Sequence, residues 1–249
     1  MKPKYRLYAL LAAIALWSPL TVPAQNFSNE VYETRAFSDR FKTIRTDVEG
    51  RDLFPPIIEL NSNEHITISF DEMTEEASYL QYSLIHCNAD WRPSALSELE
   101  YLDGFNTNPI ETFDYSIATF AHYVHYSLTL PNEDVQFKAS GNYVLLVYPE
   151  NEPEQILLQV CFSVYENDIL VAPSVTSRTD IDYNSEHQQV SVSLNANNYR
   201  IQNPYNELKV SVTPNGRRDQ EVIVTRPLRV QGNQVIFCLL YTSDAADDK

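Results

Sequence analysis

The chain has 249 residues, with 18 Lys and Arg against 34 Asp and Glu, a formal charge of −16 at pH 7. Nucleic acid and anionic lipid are bound through Lys and Arg, so an excess of acid this large excludes both as primary partners and favours a basic one. Only five glycines are present, and no G-x-G-x-x-G or G-x-x-x-x-G-K spacing occurs, which excludes a phosphate-cradling loop.

At the start, Lys2, Lys4 and Arg6 precede an apolar run from Leu7 to Leu20, closed by the small residues of Val22-Pro23-Ala24. That order predicts a secretory signal over 1–24, cleaved after Ala24. The run is short for a membrane span, and no cysteine marks a lipid-anchored start. An exported, soluble mature chain is expected.

From there, period-two alternation dominates. In "HITISF", Ile66, Ile68 and Phe70 share one face and Thr67 and Ser69 the other. "HYVHYSLTLP" lines up Val124, Tyr126, Leu128 and Leu130, whereas "GNYVLLVYP" is apolar on both faces, as a central strand should be. "QILLQVCFSVYE" places Ile156, Leu158, Val160, Phe162 and Val164 together. A single short helix is predicted, within 92–102, with Ser94 as its cap. Beyond Val164 an acidic, then Ser/Thr-rich, segment suggests a boundary. "QQVSVSLN" and "ELKVSVTPNGRRDQEVIVTR" resume the alternation, with a hairpin turn at Asn215-Gly216 and another at Gly232-Asn233.

The predicted fold class is therefore all-β: an immunoglobulin-like β-sandwich over 25–166, then a second, incomplete β-sandwich domain over 167–237. The closing residues 238–249, "CLLYTSDAADDK", show no alternation and resemble the translation of a sequencing-library adaptor. They are read as a scar, which ends the native chain near Phe237 and makes Cys238 non-native.

The densest chemistry lies in "HCNADW" (86–91) and "EYLDGF" (100–105). His86 and Cys87 are neighbours on a strand and point to opposite faces, so they do not share a metal ion, and no partner sits at zinc spacing. The acidic run "FDEMTEEASY" lacks the alternating oxygens and turn glycine of a calcium loop. There is no nucleophile elbow, and carboxylate pairs are too common here to point to glycoside hydrolysis. No catalytic, metal or cofactor residue is assigned, and the chain is read as a non-enzyme. Trp91, Arg92, Tyr101, Asp103 and Phe105 are candidate partner contacts, because aromatic and Arg anchors dominate interfaces; filling the end of a sandwich is the competing role for each ring. Cys87 and Cys161 are a possible disulfide in an oxidising compartment, a bridge worth on the order of 4 kcal/mol. Buried free thiols are the alternative.

"PPIIELNSNEHITISFDEM", "SLIHCNADWRPSALSELEYLDGF", "HYSLTLPNEDVQFKASGNYVLLVYPEN" and "NNYRIQNPYNELKVSVTPNGR" together resemble the type IX secretion system plug proteins of Bacteroidota. The resemblance runs from about Asn26 to Phe237, and full-length relatives continue beyond that point. It implies a non-enzymatic periplasmic protein without cofactors, which occupies the periplasmic mouth of a giant outer-membrane β-barrel translocon. Cys161 is not part of the family pattern, which speaks against the disulfide. The alternative reading, from export and the tyrosine-rich 12% aromatic content, is a secreted glycan- or peptide-binding module.

Overall fold

The computed structural model describes residues 31–51, 54–177, 187–196, 199–214 and 220–242. The expected signal over 1–24 and the turn at Asn215-Gly216 lie outside them.

The described residues up to Tyr165 form two facing sheets. In the larger, β11 (Gly141–Pro149) lies between β5 (Leu80–Cys87) and β12 (Leu158–Tyr165). The short strands β1 (Arg35–Ala36) and β3 (Ile57–Glu59) border β12, and β7 (Asn108–Pro109) borders β5. All these ladders are antiparallel except β3 with β12. The smaller sheet runs β2 (Phe41–Val48), β4 (Ile66–Glu72), β9 (Val124–Leu130), β8 (Phe113–Tyr115). A two-stranded ribbon of β6 (Leu102–Gly104) and β10 (Val135–Phe137) closes one flank.

The alternation predicts which faces meet. Ile66, Ile68, Phe70, Val124, Tyr126 and Leu130 are fully buried from one side, and Tyr143, Leu145, Val147, Val160 and Phe162 from the other. Phe70 stacks on Tyr126 at 5.2 Å and Tyr143 on Phe162 at 5.7 Å. The doubly apolar β11 has a second reason. Val144, Leu146 and Tyr148 point to the outer face of the large sheet, where Cys87 and Cys161 from the neighbouring strands flank them and Tyr32 packs with them. Tyr32 belongs to an N-terminal strap: its N–H donates to the Trp91 carbonyl at 3.1 Å, and β1 then pairs with β12.

The remaining strands form separate ladders. β13 (Leu170–Thr176), β14 (His187–Asn195), β18 (Gln234–Thr242) and β17 (Arg229–Gln231) make one sheet, and β15 (Val210–Val212) pairs with β16 (Val222–Val224). Among the described residues, Val192, Leu194, Val235 and Phe237 form the buried cluster of this part of the chain. All-β sandwich architecture, as expected, describes the molecule.

Two expectations differ in detail. The helix is a single turn, α1 (Glu98–Tyr101), capped by Ser97 rather than Ser94; a second turn, α2 (Pro204–Glu207), begins after Asn203. Strand β13 opens the part of the chain that follows the expected boundary. The ladder of β18 against β14 does not stop at Phe237 but runs on to Thr242, pairing Cys238 with Ser191 and Leu239 with Val190.

Candidate functional site

The "HCNADW" segment is a hairpin corner. Asn88 N–H donates to the Arg92 carbonyl at 2.8 Å, Trp91 N–H to Asn88 at 3.0 Å, and Ser94 N–H to His86 at 2.9 Å. Trp91 has φ 60°, the left-handed position that ends a three-residue hairpin loop and that glycine usually fills. An L side chain there costs about 1–2 kcal/mol, offset here by the strap bond from Tyr32 and by Asn142, whose Nδ2 donates to the Asn88 carbonyl at 3.0 Å.

His86 sits inside the corner, 7% exposed. Its Nε2 lies 3.1 Å from the Ser140 carbonyl and its Nδ1 2.8 Å from Ser94 Oγ. A carbonyl only accepts, so Nε2 carries a proton, and in the neutral ring Nδ1 accepts from the serine hydroxyl. The ring lies edge-on to Tyr143 at 5.1 Å, and a Cβ on Gly141 would come within 2.2 Å of Nε2. Both ring nitrogens are committed to structure, and Cys87 faces away into the outer cluster. Among the described residues no group of three or more potential metal-ligating side chains converges.

The five candidate contacts do not share one surface role. Tyr101 is a correction: it is only 5% exposed, and its hydroxyl donates to the Leu84 carbonyl at 3.1 Å, so it is a core ring. Burial, reinforced by Glu98, pushes its hydroxyl up to about 12. Arg92 is half-exposed and 3.7 Å from Asp90. Asp103 is exposed on β6, opposite Gln136, and Phe105 is 83% exposed. Trp91 is half-buried and lines a cleft of about 680 Å³ with Pro55, Pro56, Asn142, Tyr165 and Glu221.

Cys87 and Cys161 share the outer cluster but are not bonded to each other. Cys87 stands opposite Asn142 and Cys161 opposite Val144, on strands flanking β11. Two strand spacings separate their Cα atoms by roughly 9 Å or more, beyond the ~7 Å that a disulfide spans. Burial, with smaller contributions from Cys161 and Asp90, pushes the Cys87 thiol up to about 12, so it stays protonated and inert at neutral pH.

At the opposite end of the sandwich lie two features that sequence reasoning missed. Glu72 is 1% exposed and fully satisfied: Arg40 Nη2 donates to it at 2.6 Å, Ser78 Oγ at 2.8 Å and the Tyr126 hydroxyl at 3.0 Å. Burial, followed by the Glu72 charge, drives the Tyr126 hydroxyl far up. Beside this anchor the β8–β9 hairpin carries Ile117 at 88% and Phe120 at 107% exposure. The signal was in the sequence: "SIATFA" (116–121) is apolar-rich without alternation, between two strands.

With this geometry in view, the class is that of an all-β chain built from antiparallel sheets. The sequence matches the type 9 secretion system plug protein 1st domain over residues 41–166, and the chain belongs to that family. It is similar to the crystal structure of a hypothetical protein from Parabacteroides merdae ATCC 43184, at 41% identity and a TM-score of 0.80 over 86% of this chain. This chain spans about half, 53%, of that one. A match to Pseudomonas fluorescens alkylpurine DNA glycosylase AlkC, at 9% identity and TM-score 0.28 over 50% of this chain and 30% of that one, carries no argument. No curated protein matches.

Proposed function

We propose that this chain is part of a non-enzymatic component of the type IX secretion system that sits in the periplasm and closes the periplasmic opening of the outer-membrane translocon barrel. The observation that carries the reading is the family match over 41–166. The physical demand on a plug is breadth and stiffness, because a pore wide enough for folded cargo leaks small molecules when open. A sandwich with a continuous aromatic core supports that demand, as does polar chemistry spent on structure: His86 on Ser94 and Ser140, Glu72 on Arg40, Ser78 and Tyr126. The test is co-purification of the full-length protein with the barrel from detergent-solubilised outer membranes, with uptake of a large antibiotic in the deletion strain. Retention of the barrel and a leaky deletion strain are expected; a protein that never retains the barrel overturns the proposal.

The second reading, a glycan- or peptide-binding module, draws on the cleft beside Trp91, where two prolines, Tyr165, Asn142 and Glu221 meet an aromatic platform. Retarded migration in polysaccharide affinity gels, abolished by Trp91→Ala, would favour it over closure.

A further inference from the structure

The β8–β9 hairpin projects from the end of the first sandwich that also carries the loop after β4 and the loop between β11 and β12. Strand register fixes this placement: Glu72, the last residue of β4, pairs with Val124, the first of β9, and Glu150 N–H donates to the Tyr79 carbonyl at 2.9 Å. At the hairpin tip Ile117 and Phe120 are almost wholly in solvent, and Tyr115, the last residue of β8, is 54% exposed. Exposed large apolar side chains that cluster mark interaction sites in soluble proteins.

The tip is ordered by its own bonds. Ser116 N–H donates to the Tyr123 carbonyl at 2.9 Å, Tyr123 N–H to Ser116 Oγ at 3.0 Å, and Thr119 Oγ1 to the Ala121 carbonyl at 2.8 Å. Ala118 takes φ 55° to turn the chain. Below, Phe113 contacts Tyr126 at 5.8 Å, which joins the tip to Phe70, stacked on Tyr126, and through it to Phe41, edge-on to Phe70, in the core. A pre-ordered apolar tip loses little conformational freedom on docking.

Its surroundings choose the partner. Glu75, Glu76, Asp114, Glu150, Glu152 and Glu154 are exposed at or beside this end. The nearby cations are already matched, Arg40 to Glu72 at 2.6 Å and Lys42 to Asp39 at 3.3 Å. An anionic rim around an apolar tip repels anionic lipid headgroups and complements an apolar pocket bordered by Lys and Arg.

We infer that the β8–β9 hairpin is the docking element of this molecule, with Ile117 and Phe120 seated in an apolar, basic-rimmed pocket on a protein partner. The inference rests on the reading above for the partner's identity: the periplasmic face of the translocon barrel.

The test compares the full-length protein with I117S/F120S in co-purification from detergent-solubilised native membranes, alongside flotation with phosphatidylglycerol vesicles. Both side chains are in solvent, so the melting temperature should be unchanged. The wild type should retain the barrel and the double variant at least about tenfold less, given the burial lost with both side chains. Neither should float with vesicles. Equal retention by both proteins overturns the hairpin assignment and leaves the plug reading standing. A wild type that retains no barrel overturns the plug reading, and the assignment of this pocket with it. Flotation of the wild type alone overturns the protein partner in favour of a lipid surface.

Discussion

The two halves of the molecule bury themselves differently. In the first sandwich one cluster runs unbroken from Phe41 on β2 to Val164 on β12, and β11 is covered on both faces. In the second, among the described residues, a cluster of four side chains forms the buried centre, and every residue of the edge strand β13 is exposed. Both halves use the same alternation, so the difference lies in what covers each face, and not in strand propensity. Stability should follow coverage, with the first half opening last.

That contrast can be broken in four ways. The largest effect is expected from alkaline pH. Cys87 and Tyr101 are each raised to about 12, and Tyr82, Tyr126 and Tyr143 are raised mainly by burial, all in the first half. The unfolded chain loses these protons near the ordinary values of 9.0 and 10.0 while the folded one keeps them. Stability contributed there is complete below about pH 9 and falls as pH rises toward 12. Beyond the absorbance contributed by exposed rings such as Tyr79 and Tyr115, the tyrosinate step of the four buried tyrosines should therefore appear together with loss of the Trp91 fluorescence signal. A buried-ring step that precedes unfolding would show that the core is open. Next, Phe162→Ala should cost the first half about 3–5 kcal/mol, whereas Phe237→Ala should leave Trp91-detected unfolding in place. A common shift of both transitions in calorimetry would mean that the halves unfold as one. Gly141→Ala should follow, at about 1–3 kcal/mol, because its Cβ is driven into a His86 ring that Ser94 and Ser140 hold; urea titration measures it. The smallest difference is at the corner: Trp91→Gly should be more stable than Trp91→Ala by about 1 kcal/mol, since both lose the ring but only glycine relieves the left-handed φ. Equal stability would show that the corner rearranges.

Much of the fold was legible. Ile66, Ile68 and Phe70 announced a core face, and Gly232-Asn233 a turn, because these signals are local. Strands of two or three residues, such as β1, β3 and β7, are too short for alternation to register. Of the two roles open to Tyr101, partner contact and filling ring, the structure shows the second; the sequence could not choose, because its acceptor on Leu84 and its neighbour Tyr143 lie on strands that the sequence does not place beside it. Ser94 looked like a helix cap because the sequence cannot show that its hydroxyl is occupied by His86. At the candidate site, the opposite orientation of His86 and Cys87 followed from the pleat alone. The exposed hairpin tip was passed over because an irregular apolar stretch gives no period to follow, and the Arg40–Glu72 anchor because its partners are far apart in sequence.

The strap through Tyr32 has a consequence for anyone who shortens the chain. Beginning at Phe37 would strip the cover from Val144, Leu146 and Tyr148 while leaving the inner core intact. The trimmed molecule should still fold its sandwich, yet it would present a greasy wall bearing two thiols. Such a wall should drive clumping and, under oxidising conditions, covalent dimers between molecules.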